Sequence, residues 1–350
     1  MTNRMTAPSA VTVIGEALID LVPGTDERTF VAAPGGSPYN VAIGLARLGV
    51  ATSLMARLAD NAFGRILRER AAAEGVNLAY APLASEPTTL AVVLLDAQAQ
   101  ASYDFYTNGT ADWQWTAAEA GRAPAGSAIL HFGSIASWTA PGDLHILGLA
   151  GRMRDRGDVL VSYDPNVRPR LLAGPGSGRA AVERGVRLAH IVKASVEDVT
   201  WLYPDYTAPE AARLWLRLGA TVVIVTGGAS GADVFMGNGP ALHRPAPAVT
   251  VADTVGAGDA FTAGLLASLS WHGLQSPELL GRCQPADLAE TGQTPRLRAY
   301  YAQTFMSFLR GPAAPFRPDH IQSLHLSGGQ AILRIEFAAP TPLGLVGPAG

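Results

Sequence analysis

The run 208-APEAARLWLRLGATVVIVTGG-228 sets a helical pattern, 208–219, directly before a near-continuous apolar segment, 221–228, that ends in glycine. The same succession recurs outward in both directions. Apolar strand-like runs stand at 11-VTVIG-15, 127-SAILHFG-133, 158-DVLVSYD-164 and 189-AHIVKAS-195, and helical patterns at 40-NVAIGLARLG-49, 62-AFGRILRERAAAEG-75 and 179-RAAVERGVRLA-189. Strands that are apolar throughout and close on Gly, Asp or Ser suit a parallel sheet buried on both faces. The expected architecture is therefore a doubly wound, mainly parallel α/β sheet, whose ligands bind outside the carboxyl ends of the strands.

Two stretches break this rhythm, residues 17–34 and the pair 88-TTLAVVLLD-96 and 101-ASYDFYTNG-109. The pair reads as a hairpin. Together the two stretches make a small sheet, either an ordinary edge element or a lid over a site. From about residue 291 the alternation stops, and the last 60 residues hold seven prolines and five arginines against two acids. A domain over 11–290 and an atypical segment 291–350 follow, with 331-AILRIEF-337 able to form one strand. Natural divergence and a shifted reading frame both account for that tail.

Composition narrows the chemistry. The 350 residues carry a formal charge of −3 and no block of basic residues, which gives no footprint for nucleic acid or a lipid surface. No apolar run approaches the roughly 18 residues of a membrane helix, no signal peptide is evident, and Cys283 is the single cysteine, so the expected location is the cytoplasm. Of the 26 basic residues only Lys193 is a lysine, and it follows no glycine-rich loop, which excludes a Walker A site. The seven histidines show no zinc-ligand spacing.

The strongest chemical signal is 253-DTVGAGDAFTAGLLASL-269. Gly256, Ala257 and Gly258 open onto a helix N-terminus, where backbone amides and the helix dipole favour an anion. Phe261 at the third glycine position disfavours a dinucleotide fingerprint. Asp259 would repel a phosphate unless it has a task of its own. Such a task is to be general base for an attacking hydroxyl, the plainer alternative being a helix cap. A second signal is 35-GGSPYNVAIGLARLG-49, in which Ser37 suits an N-cap and Pro38 the first helical position. Capping leaves Gly35, Gly36 and Asn40 unexplained; a Gly-Gly pair lets a ligand touch backbone, and Asn40 and the strand-ending Asp20 suit a polyol.

In this order GEALIDL, GGSPYNVAIGLARLG, ADNAFG, EGV, DPNVR, TGGASGA and DTVGAGDAFTAG resemble the ribokinase-like (PfkB) carbohydrate kinases, over about residues 11–290. GEALIDL and 102-SYDFYTNGTADW-113 are most similar to the fructokinase and 2-keto-3-deoxygluconate kinase branch, fructokinase being nearer. The resemblance implies Asp259 as catalytic base and the amides of Gly256, Ala257 and Gly258 as an anion hole. It implies Asp20, Gly35, Gly36 and Asn40 at the sugar, with Tyr103 and Phe105 entering from the lid and Arg168 near substrate and phosphates. Asn166, Lys193, Ser195, Thr226, Gly228 and Gly231 fall at its ATP-binding positions.

The same resemblance implies ATP and Mg²⁺, with Asp198 or Glu197 reaching the metal through water, and a monovalent cation such as K⁺ as a further candidate. It also implies a homodimer joined through the lid. The reaction expected is transfer of the γ-phosphate to a primary hydroxyl, D-fructose to fructose 6-phosphate. A 2-keto-3-deoxygluconate kinase is the nearest alternative, and a sugar- or nucleotide-binding regulator without catalysis the alternative of another class. The tail departs from the family, 297-LRAYYAQTFMSFLRGPAAP-315 being only faintly similar to its adenine-site helix and turn.

Overall fold

The computed structural model describes residues 10–24, 28–95, 101–246 and 256–283, with the short strands Leu324–Ser327 and Gln330–Leu333. The chain separates into two units, Met1–Gly311 and Pro312–Gly350. In the second, the two short strands pair as an antiparallel hairpin, so 331–333 is strand as expected and 334–337 lies outside the described residues.

Thr207 starts the Ala208–Leu218 helix: its hydroxyl accepts the Glu210 amide while the Glu210 carboxylate accepts the Thr207 amide. Gly219, at φ 122, ends it in a conformation that disfavours any side chain. The helix buries Ala211, Ala212 and Trp215, and the indole N–H of Trp215 donates to the Tyr203 hydroxyl at 2.8 Å. With its polar edge satisfied, Trp215 stabilises the fold by about 3–5 kcal/mol relative to alanine.

In the strand that follows, Val222–Thr226, Val222 and Ile224 join one apolar cluster and Val223 and Val225 the other. Ile191 and Val192, and Leu160 and Val161, divide in the same way. Alternate residues thus enter cores on opposite faces of one sheet, which is why the strands read as apolar at every position. The sheet runs Leu242–Arg244, Ala232–Met236, Val222–Thr226, Ile191–Ser195, Leu160–Asp164, Ser127–Gly133, Ala10–Ile14, Thr52–Met55. All neighbours are parallel from Thr52–Met55 to Val222–Thr226, and the last two strands are antiparallel.

The two rhythm-breaking stretches form a separate four-stranded sheet in the order Phe30–Gly35, Leu18–Pro23, Leu90–Leu95, Ala101–Tyr106. Its register sets Ala33, Asp20, Ala91 and Phe105 side by side, hence on one face. Arg170 Nη1 ties this sheet to the main body, donating to Asp104 Oδ1 at 2.9 Å and to the Tyr103 carbonyl at 3.2 Å.

Asp112 lies beside the base of this small sheet. Its Oδ1 accepts the Ala17 amide at 2.9 Å, just before the first lid strand. The Thr89 carbonyl accepts the Ile19 amide at 3.1 Å, and the Thr89 and Thr110 hydroxyls share a hydrogen bond of 2.6 Å. Asp112 is fully buried and its Oδ2 finds no partner among the described residues. Burial raises its pKa from 3.8 to about 7, against hydrogen bonds from Thr89 and Ala17 and with Glu16 nearby adding to the rise. A carboxyl whose folded value lies above its unfolded one favours folding below the unfolded value and loses that contribution as pH climbs through the folded value. The melting temperature of Asp112→Asn minus that of the wild type is therefore expected to grow between pH 5 and pH 8, and a difference independent of pH in thermal scans would contradict this reading.

Candidate functional site

The Ala257–Trp271 helix begins at Gly256, which holds a left-handed φ of 74. Its first helical bond runs from the Ala260 amide to the Gly256 carbonyl at 2.8 Å, so the amides of Ala257, Gly258 and Asp259 point out of the N-terminus without an intrahelical acceptor. With the positive end of the helix dipole they make an anion site. The run 247–255 leading into it lies outside the described residues, and no monovalent-cation site is assigned.

Asp259 does not cap this helix. Its Oδ1 accepts the Ser37 hydroxyl at 2.6 Å and its Oδ2 the Asn40 side-chain amide at 2.8 Å. Both donors come from the first turn of the Ser37–Arg47 helix. Ser37 is not the N-cap that its sequence position suggests. Gly36 holds that place at φ 100, where a Cβ would lie 2.8 Å from the Glu16 carbonyl, so the cap must be glycine and the Ser37 hydroxyl is free for Asp259. Asn40, read as a polyol ligand, likewise gives its amide to Asp259. Burial pushes the Asp259 carboxyl above its usual range, while the bonds from Ser37 and Asn40 pull it down.

Asp20 reaches this site from the small sheet. Gly35 is a place of close approach, since a Cβ there would lie 2.0 Å from Asp20 Oδ2. Burial raises the Asp20 pKa to about 6, with Arg168 lowering it and Asp259 raising it. Asp20 therefore feels both the cation of the 164-DPNVR-168 loop and the carboxylate of the anion site. Arg168 Nη1 folds back on its own loop and donates to Asn166 Oδ1 at 2.7 Å. Tyr103 and Phe105 stack at 5.9 Å on the lid strand, with Phe105 packed against the core.

Beneath the loop, Asp164 Oδ1 accepts the Asn166 amide at 3.1 Å and its Oδ2 pairs with Lys193 Nζ at 2.9 Å. Asn166 holds an unusual positive φ of 38. Lys193, expected at an ATP-binding position, is buried. Ser195 and Asp198 cap each other at the start of the Val196–Leu202 helix, and Asp198 Oδ1 also accepts the Val167 amide at 2.9 Å. Sequence reasoning passed over Asp164 and Thr262; the one ends an apolar strand and the other follows Asp259 by one helical turn.

Among the described residues no three acidic, histidine or cysteine side chains converge on a metal position. Asp198 has each oxygen on a backbone amide and keeps further lone pairs, which fits Mg²⁺ reached through water. Glu197 is exposed on an outer hollow with Trp201 and Pro204, turned to other surroundings than its neighbour Asp198. At the remaining expected ATP positions, Thr226 Oγ1 donates to the Ala194 carbonyl at 3.3 Å, and Gly228 takes a φ of 55 in a short turn. Gly231 is required by packing, a Cβ there lying 2.0 Å from the Arg244 carbonyl. These residues and those of the Asp164 loop end or follow parallel strands at one edge of the sheet.

Residues 9–278 match the family model described as pfkB family carbohydrate kinase. A fructokinase of Rhizobium leguminosarum bv. trifolii is 38% identical over 266 residues, 74% of this chain and 79% of that protein. One of Klebsiella pneumoniae is 35% identical over 314 residues, 89% of this chain and 98% of that protein. The fructokinase of Vibrio cholerae O395 in its fructose, ADP and calcium ion bound form is similar in structure with a TM-score of 0.72 at 28% identity, over 86% of this chain and 100% of that one. The aminoimidazole riboside kinase of Salmonella enterica gives a TM-score of 0.69 at 29% identity, over 85% and 93%. The chain belongs to the pfkB family of carbohydrate kinases, phosphotransferases that act on an alcohol.

Proposed function

We propose that this chain is an ATP-dependent fructokinase that transfers the γ-phosphate to a primary hydroxyl of D-fructose, giving fructose 6-phosphate. The observation that carries this reading is Asp259, buried in the first turn of an anion-binding helix and held at both oxygens by Ser37 and Asn40. Asp259 takes the proton of the sugar hydroxyl as that oxygen attacks in line. The amides of Ala257 and Gly258 and the Arg168 guanidinium stabilise charge on the transferring phosphoryl group, in place of a Walker lysine. Asp20 accepts sugar hydroxyl bonds from the lid, with Tyr103 and Phe105 closing that side against water. Asp198 would hold a nucleotide-borne Mg²⁺ through water, and that ion would supply neutralising charge to the phosphates. The reaction belongs in the cytoplasm, where ATP is available.

A carboxylate substrate such as 2-keto-3-deoxygluconate fits less well, because the Arg168 charge already compensates Asp20 and its Nη1 is bound to Asn166. ADP release measured against fructose, 2-keto-3-deoxygluconate, ribose and aminoimidazole riboside is expected to favour fructose by kcat/KM. A preference for one of the others would replace the substrate assignment. Asp259→Asn is expected to bind sugar and lose about 10²–10⁴-fold in turnover; near wild-type turnover in that variant would refute the base.

The lid supports the homodimer reading, with Val22 and Val31 exposed on the face that carries Asp20, and Phe30, Leu94 and Tyr106 exposed on the other. Apolar side chains on both faces of a small sheet suit a second copy of the same lid. Light scattering is expected to give a dimer for the wild type and a monomer for Val31→Glu with Tyr106→Glu. A wild-type monomer at tens of micromolar would remove the proposal.

A further inference from the structure

Lys193 is the only lysine of the chain, and it lies inside the Ile191–Ser195 strand with 5% of its surface exposed. Its Nζ is 2.9 Å from Asp164 Oδ2. On its other side is Gly258, where a built Cβ would come to 2.9 Å from Nζ. The ammonium thus rests against the Cα of the second residue in the anion-binding turn. Thr262 closes the arrangement, its hydroxyl lying 3.1 Å from the Gly258 carbonyl and 3.4 Å from Asp164 Oδ2. Asp164 in turn holds the Asn166 amide with its other oxygen.

A compact ammonium fits this gap, whereas the planar fork of arginine, used at every other basic position, is wider. Burial alone would strip the proton from Lys193, but the Asp164 carboxylate, by charge and hydrogen bond, raises its pKa above the ordinary lysine value. The pair is therefore ionic, and a side chain at position 258 would press on the lysine ammonium.

We infer that Lys193, paired with Asp164, is a positioning residue for phosphoryl transfer: it sets the first turn of the Ala257–Trp271 helix, with its amides and Asp259, in register with the Asn166–Arg168 loop, and touches neither substrate. This rests on the kinase reading above and extends it to a side chain behind the site. Lys193 also favours the ionised form of Asp259, which otherwise faces the carboxylates of Asp164 and Asp20 and the donors Ser37 and Asn40.

The test is steady-state kinetics of the full chain with MgATP and D-fructose for Lys193→Met, Lys193→Arg and the neutral double variant Lys193→Met with Asp164→Asn. Lys193→Met is expected to lose about 10²-fold in kcat, as a small displacement of reacting groups does, with both KM values within about threefold of wild type. The acid limb of its kcat profile moves to higher pH. Lys193→Arg keeps the charge and is also slow, because the guanidinium cannot rest against Gly258. The double variant recovers thermal stability without recovering kcat. Wild-type kcat in the double variant would reduce the pair to mutual neutralisation and overturn the inference. So would a rise of about tenfold in KM for ATP at unchanged kcat, which makes Lys193 a nucleotide ligand. Should Lys193→Met fail to fold, the double variant, which leaves no lone buried charge, decides the matter. Failure of the underlying reading is separately visible, since it appears as turnover in Asp259→Asn whatever the Lys193 variants do.

Discussion

The carboxylate of Asp259 is the constraint around which the rest of the site is arranged. A carboxyl group buried at a helix N-terminus would serve that helix as a cap if nothing competed for it. Here Ser37 and Asn40 compete, and both oxygens point across to another helix. For that to happen the first helix must approach closely, which requires Gly36 at a positive φ against Glu16 and Gly35 beneath Asp20. The paired glycines are thus explained by helix placement and by the lid carboxylate before any sugar is considered.

Charge is held in the same economical way. Asp20, Asp164, Asp198 and Asp259 gather at one edge of the sheet, and burial raises the pKa of Asp20, Asp198 and Asp259. Backbone amides satisfy Asp198, side-chain donors satisfy Asp259, and a full cation satisfies Asp164. Three different solutions leave one carboxylate anchored by the backbone, one positioned beside an anion site, and one fixed as part of the framework. The family to which the chain belongs performs phosphoryl transfer, a reaction in which placement and charge carry almost all of the catalysis.

The strands and helices were legible because burial on both faces leaves a plain imprint, as in 221-TVVIVTGG-228. The small sheet was legible as two interruptions, and its register then set Asp20 and Phe105 on one face to either side of Ala91, a neighbourhood that no local pattern encodes. The site was harder. Ser37 has every local feature of an N-cap, and only the tertiary demand at Gly36 moves it one place inward. Lys193 stood out by rarity, yet its side chain turns inward to Asp164, a partner 29 positions away. Glu197 and Asp198 are adjacent in sequence, and the capping bonds with Ser195 hold Asp198 inward.

The bond between Ser37 and Asp259 joins residues 222 positions apart. Contacts of that separation are slow to form, because a large loop must close before they contribute anything. The sheet from Ser127 to Thr226 consists of neighbours met in order along the chain and is free to assemble while the later sequence is still being made. The seating of Asp259 cannot precede the arrival of its helix. A nascent or truncated chain would therefore own most of the scaffold while lacking any means of transferring phosphate, and competence would come as a late and abrupt event in the life of each molecule.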